Sequence, residues 1–357
     1  MFAHSIRRHP NSCSCGLVTS IILLLFAVAG NAFAHGVTFK FQHAQAADSA
    51  LSTQFLDPWA NKIHDDSRGR VSLLITPQDQ HATGTELFQV VLERTADIVW
   101  LDLQQPAVSF PIFGVFGLPL AGTTAEGSSR ALWTWTDIND LGFREFKELR
   151  VLAAARHDTP VFHMREKAVS SLSDLKGARI AIPTADAETF LTGLGASPVV
   201  ISGIAMRDAL AQSSVDGALL SWSGLAALEL EELVKAHSSA PVGAPWAYAE
   251  LSVLLMNPDA YRSLADDLKQ VVRNYSGSDV SARIGKSIDE TASDARKRAA
   301  DRGDTFTTLP ESDLDKWREA ASVAINKRVA DLDARGLHGE ELITRARALI
   351  EQYDTAN

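Results

Sequence analysis

The chain has 357 residues and a formal net charge of −10 at pH 7, or −12 once a basic leader carrying Arg7 and Arg8 is set aside. An acidic chain without a basic stripe argues against nucleic-acid binding and against an anionic membrane surface. Both cysteines, Cys13 and Cys15, lie in that leader, so the remainder holds neither a disulfide framework nor a thiol nucleophile.

Residues 1–34 combine a basic start, an apolar run over 17–30 and the small-x-small site Ala32-Phe33-Ala34. This is the pattern of a signal peptide, and the run is short for a membrane span. Export to the periplasm with cleavage after Ala34 is expected. The alternation over 37–43 predicts a first strand, and Leu51, Phe55, Leu56, Trp59 and Ile63 have helical spacing. Strands over 70–75 and 96–101 with a helix over 86–94 complete a βαβαβ unit. A helix is expected over 125–142 and a strand over 151–155, passing into a second half.

In that half Asp174-Leu175-Lys176-Gly177 forms a turn that launches the apolar run 178–182, and Pro183 ends it. A helix over 185–195 can stop at Gly195. A short buried strand over 199–201, a helix over 206–212 and a strand over 215–220 follow. From Pro258 the pattern is almost wholly helical, with a long polar helix over 282–302. Another starts at Pro310-Glu311-Ser312 with Ser312 as its cap, and carries an apolar stripe of Leu314, Trp317, Ala321 and 323–325. Alternating strands and helices predict an α/β fold with parallel sheets. Ligands bind at the carboxyl ends of such strands, so residues just after Ile182, Ile201 and Leu220 should line a pocket.

The order of these motifs resembles the solute-binding proteins of tripartite ATP-independent periplasmic (TRAP) transporters, the DctP-like family. The resemblance is carried by Ser173 to Pro183, by Leu194-Gly195-Ala196-Ser197-Pro198-Val199 and by Ala209-Leu210-Ala211-Gln212 to Asp216-Gly217. Gly69-Arg70-Val71, Gln80, Glu86-Leu87, Ala96-Asp97-Ile98, Leu118-Pro119 and Leu254-Leu255-Met256-Asn257 extend it. It implies a two-lobed periplasmic-binding-protein architecture with a ligand cleft between lobes and a helical C-terminal region. The expected domains are lobe I over 35–154, completed by part of 250–305; lobe II over 155–249; and C-terminal helices over 306–357 packed on the lobes. It also implies capture of a small organic solute by hinge closure, delivery to TRAP membrane permease subunits, and a monomer. A periplasmic sensor that shows its closed form to a membrane receptor is the alternative.

In this family an arginine usually clamps the ligand carboxylate, because the planar guanidinium can make two parallel charge-assisted hydrogen bonds. That position falls at Ala181. Two readings stay open. Displaced cations, among them Arg156, His157, Arg165, Arg179 and Arg207, can hold an anion. Alternatively the ligand is less charged, in a pocket that uses Trp100, Trp222 and Trp246, for each of which ordinary core packing competes. His43, Gln45 and Asp102 follow strands of the first half and are further cleft candidates. No cofactor loop, nucleophile elbow or His-Glu-x-x-His pattern is present, so neither an enzyme, a cofactor nor a metal is expected.

Overall fold

A computed structural model describes residues 1–2, 36–77, 84–103, 110–122, 124–201 and 203–354. The expected cleavage site after Ala34, nearly all of the leader, and Gln80 lie outside those residues. Residues 37–357 form one compact unit.

The unit starts with β1 (Val37–His43), in which Phe39, Phe41 and His43 turn inward while Thr38 and Lys40 face out. A π-helical turn (Leu51–Leu56) runs into α1 (Asp57–Asp66), which buries Trp59, Ala60 and Ile63. Then come β2 (Val71–Pro77), α2 (Gly84–Leu92), β3 (Ile98–Leu103), α3 (Ala125–Ile138), α4 (Leu141–Arg144) and β4 (Arg150–Arg156). Thr124 caps α3 by accepting from Gly127 N at 3.1 Å.

The second half holds β5 (Pro160–Met164), β6 (Arg179–Ile182), α5 (Glu188–Gly193), β7 (Ser197–Val200), α6 (Gly203–Ala211), β8 (Gly217–Ser221), α7 (Trp222–Ala227) and β9 (Ala236–Ser239). Gly177 (φ +72°) and Gly195 (φ +85°) take left-handed backbone at the turns expected there. The chain then returns through β10 (Leu251–Met256), α8 (Pro258–Arg262), α9 (Asp266–Asn274) and α10 (Ser278–Arg302). It finishes with β11 (Thr305–Thr308), α11 (Leu314–Ala334) and α12 (Gly339–Asp354).

Two sheets result, in the orders β2-β1-β3-β10-β4 and β11-β9-β5-β8-β6-β7. β1, β2 and β3 are parallel, as are β6, β7 and β8, and each sheet accepts one antiparallel strand next to its third. Those antiparallel strands, β10 and β5, come from the far side of a crossover. The chain therefore passes between the halves at 157–159 and again at 240–250. β5, β8 and β10 are buried along their whole length, which explains their continuous apolar runs.

α10 ties the halves together: it packs on α3 and β4 of the first and on α7 of the second. Gly285 makes the close crossing with α3 possible, because a Cβ there would lie 2.3 Å from the Ala125 carbonyl oxygen.

Several expectations change. β7 is an edge strand with Ser197 and Val200 exposed, not a buried one, since it pairs only with β6. β11 interrupts the region expected to be helical, pairing parallel with β9, so residues 305–308 belong to the second sheet. Ser312 does not cap α11. Asp313 stands at that position, and its carboxylate accepts the Leu172 amide at 2.8 Å instead. Of the α11 stripe, Trp317, Ala321, Ala324 and Ile325 are buried, while Val323 is half exposed.

Candidate functional site

Between the two sheets lies a cavity of about 540 Å³. The first half supplies Gln45, Ser49, Leu51, Leu87, Trp100 and Asp102. Pro183 and Thr184 after β6, Gly203 and Ala205 after β7, and Ser223 and Gly224 after β8 supply the second half. These are the strand ends from which a ligand site was expected. The crossovers contribute His157, Glu250 and Ser252, and α10 contributes Ser287, Ile288, Thr291, Asp294 and Arg298.

Of the nine candidate residues, Gln45, Trp100, Asp102 and His157 line this cavity together. Asp102 organises them. Its carboxylate accepts from Gln45 Nε2 (2.5 Å), Trp100 Nε1 (2.9 Å) and Ser252 Oγ (2.6 Å). Ser252 has one hydroxyl proton and gives it to Asp102, so its oxygen accepts from His157 Nε2–H at 2.7 Å. The donor count thereby fixes the His157 tautomer and leaves Nδ1 buried without a partner among the described residues. Burial pushes His157 below its ordinary pKa, with Asp102 opposing.

The other five are not among the lining residues. Arg156 is fully buried. Its Nε donates to the Phe116 carbonyl (2.9 Å), Nη1 to Ser128 Oγ (3.2 Å) and Nη2 to the Leu120 carbonyl (3.3 Å). The Trp246 ring lies against its guanidinium, 4.1 Å from ring centre to Cζ, so these two candidates form one packing unit. Arg179 sits at the outer start of β6, half exposed and paired with Asp216 at 2.7 Å. His43 is buried against the edge of Phe41, and burial lowers its pKa.

Trp222 packs inside the second half against His163, His237 and Phe306. There His163 Nδ1 and His237 Nδ1 are 2.8 Å apart, while His163 Nε2 reaches the Leu220 carbonyl and His237 Nε2 reaches Asp304. Arg207, weighed as a displaced cation, pairs with Glu229 at 3.2 Å.

The sequence reading did not pick out Glu250 or Asp158. Asp158 sits on the first crossover and accepts from Trp222 N (2.9 Å), Ser223 N (3.3 Å) and the Ser223 hydroxyl, holding the start of α7. Burial pushes it up to about 6. Glu250 ends the second crossover and accepts from Ser221 Oγ at 3.2 Å. Burial, with Asp158 and Asp102 nearby, pushes it up to about 7. Position relative to the two crossovers is the signal that could have found this pair. Among the described residues no group of side chains has metal-ligand geometry, and no helix is long and apolar enough to cross a membrane.

The model of the bacterial extracellular solute-binding proteins of family 7 matches residues 41–331. The chain is 31% identical to a TRAP solute-binding protein from Rhodoferax ferrireducens T118, whose crystal structure holds copurified benzoate. The match covers 90% of this chain and 99% of that one with a TM-score of 0.83. It is 30% identical to a marine-metagenome TRAP solute-binding protein specific for aromatic acid ligands, crystallised with 3-hydroxybenzoate, over 90% and 99% of the two chains with a TM-score of 0.84. A curated relative from Comamonas testosteroni, named outer membrane transporter protein TsaT, is 23% identical over 93% of this chain and 96% of its own.

Proposed function

Because the chain belongs to the TRAP solute-binding proteins, bacterial extracellular family 7, we propose that its own ligand is a small aromatic carboxylic acid. The observation that carries this reading is 30–31% identity, over 90% of the chain, to two proteins that hold benzoate and 3-hydroxybenzoate. The cavity supports it. About 540 Å³ is ample for a single ring bearing a carboxylate, and the partly buried Leu51 offers apolar surface to the ring, with Trp100 and Leu87 packed in the wall behind it.

The lobes are taken as residues 35–154 with part of 250–305, and 155–249 extended by β11, with the C-terminal helices packed on both. They close by hinge motion at 157–159 and 240–250. Closure replaces water with fixed polar groups around the ligand and gives the permease a ligand-dependent shape to recognise. The leader is removed after Ala34, and the periplasmic protein works as a monomer without cofactor or catalysis.

Native mass spectrometry of protein purified without denaturation, followed by titration of tryptophan fluorescence with benzoate, 3-hydroxybenzoate, succinate, malate and sugar acids, tests the ligand class. Submicromolar binding of succinate or malate with no response to ring acids would overturn the reading. Small-angle scattering with and without saturating ligand tests closure, and an unchanged radius of gyration would count against it.

A further inference from the structure

An anion entering this cavity meets unfavourable charge. The described lining carries Asp48, Asp102, Glu229, Glu250 and Asp294 against Arg298; Glu229 is paired with Arg207 at 3.2 Å, and Arg298 with Glu231 at 2.7 Å. The position of the family arginine is closed as well. Ala181 is fully buried and packs with Val161, Met206, Leu210 and Trp222. A bound carboxylate therefore needs a proton at this site where a relative would use a guanidinium.

The hydrogen-bond inventory decides where that proton sits. Asp102 already accepts from three donors, and so does Asp158, which favours the ionised form of each and leaves little room for a proton and a new partner. Glu250 differs. Among the described residues its side-chain hydrogen bonds come from Ser221 alone, with the hydroxyl reaching Oε1. The Ser221 oxygen accepts the Gly224 amide at 3.0 Å, which leaves its proton for Glu250. One side of the Glu250 carboxyl remains for a proton and a partner, and the residue lines the cavity.

We propose that Glu250 enters the complex protonated and that its carboxyl O–H donates to the ligand carboxylate, in place of the arginine absent at Ala181. This rests on the aromatic-acid reading above.

The groups facing Glu250 are consistent with that role. Burial acts on it most, Asp158 and Asp102 add to that as like charges, and together they push it up to about 7. Tyr248 gives its hydroxyl proton to the Leu219 carbonyl at 2.8 Å. His157 is pushed down by burial and spends its Nε2–H on Ser252. Arg156 directs its guanidinium to Phe116, Ser128, Leu120 and Trp246. The proton comes from solvent. The ligand's negative charge holds it on Glu250 more firmly than in the free protein, so binding above neutrality takes up close to one proton.

The test is a titration of the exported protein with benzoate from pH 6 to pH 9, for wild type and for Glu250→Gln, which keeps an N–H donor without a titrating proton. Wild-type Kd is expected to rise about tenfold per pH unit above about pH 7. Calorimetry at pH 8.5 in buffers of different ionisation enthalpy should report uptake of about one proton. In Glu250→Gln the Kd should stay within about threefold across the series, uptake should vanish, and binding at pH 8.5 should be about thirtyfold tighter than wild type. Circular dichroism and thermal unfolding establish that the variant is folded.

Benzoate binding that is flat with pH and takes up no proton would overturn the proposal, as would a wild-type slope in Glu250→Gln. Proton uptake that survives in Glu250→Gln but disappears in His157→Gln would place the proton on the histidine and overturn it too. If wild type binds no ring acid at any pH in the series, the aromatic-acid reading itself fails and this proposal with it. That result is distinct from binding without pH dependence.

Discussion

Arg156 is one of the cations that sequence reasoning offers to hold an anionic ligand, and the structure gives it other work. Its guanidinium reaches two main-chain carbonyls and a serine hydroxyl of the first half and lies on the ring of Trp246, which belongs to the second crossover. Because β4 ends at Arg156, the contact joins the two crossovers where they leave the first sheet. Replacement by Met keeps the volume of the stem but removes the head.

Each hydrogen bond from a charged donor contributes about 1.5–3 kcal/mol, and a desolvated cation–π contact about 2 kcal/mol. Removing the buried charge recovers part of that sum, so the net cost of Arg156→Met is about 3–5 kcal/mol. For a chain of this size that is a fall in Tm of roughly 6–10 °C. Arg156→Lys keeps the charge without the planar fork and should fall in between. Calorimetric unfolding in the absence of ligand measures the loss, and benzoate titration at 20 °C measures the site. The affinity of folded Arg156→Met should change less than about threefold, since the guanidinium is outside the lining. A variant that keeps its Tm within about 2 °C and loses benzoate binding a hundredfold would refute the reasoning. Arg156 would then be a ligand clamp.

Arg179→Ala should leave both Tm and benzoate affinity unchanged within error, because the side chain is half exposed and paired with Asp216 on the outer edge of the second sheet; a large loss of affinity would restore a displaced-arginine clamp. Gly285→Ala should destabilise by about 1–3 kcal/mol in spite of its better helix propensity, since the added methyl meets the backbone of Ala125 and Glu126, and a stabilised variant would mean that α10 and α3 do not cross this closely. Asp158 and Glu250 have folded-state pKa values raised above their unfolded ones, to about 6 and about 7, so their stabilising share is present below about pH 4 and is lost as pH rises through 4 to 7. His157 and His163, pushed down by burial, act in the opposite direction below about pH 6.5. The informative quantity is therefore the difference in stability between Glu250→Gln and wild type, which should move in favour of the variant by up to about 3 kcal/mol between pH 5 and pH 8, and a difference that stays flat would refute it.

The parallel core of each half was legible because it is written in local patterns. The alternation in β1, the turn at Gly177, the stop at Gly195 and the strand ends before Pro183 and Trp222 all coincide with structural features. Strands recruited from across a crossover were not legible as such. β5 and β10 are short buried runs whose partners are set by topology, and β11 is a polar Thr-Phe-Thr-Thr segment with no pattern of its own.

The site divides in the same way. Gln45, Trp100 and Asp102 follow from strand ends. α10 read as a solvated polar helix, and the polarity of Ser287, Thr291, Asp294 and Arg298 belongs instead to the wall of a cavity. Periodicity cannot tell a face turned to solvent from one turned to a cavity, because both are wet. For Trp222 the competing core-packing reading matches its position, for a related reason. The backbone at the end of β8 does reach the site, where Ser223 and Gly224 line it, but the indole turns back onto His163 and His237.

The missing arginine and the acidic cavity wall are one problem seen from two sides. An arginine at position 181 would have to leave the apolar cluster in which Ala181 is packed with Met206, Leu210 and Trp222. Its absence there is built into the packing of the second half and cannot be repaired by one neighbouring side chain. Two of the candidate cations are committed elsewhere, Arg156 to the crossover and Arg179 to Asp216. Among the carboxyls in and beside the cavity, Asp158 and Glu250 stand on the two crossovers, where the chain passes between the halves. Asp158 holds the start of α7 while Glu250 reaches Ser221 at its cap, so both acids of the first half's crossovers grip the same helix of the second. A ligand that settles the charge on Glu250 acts at the point where the halves are joined. On the proposal above, the binding chemistry falls on the same few atoms that join the halves.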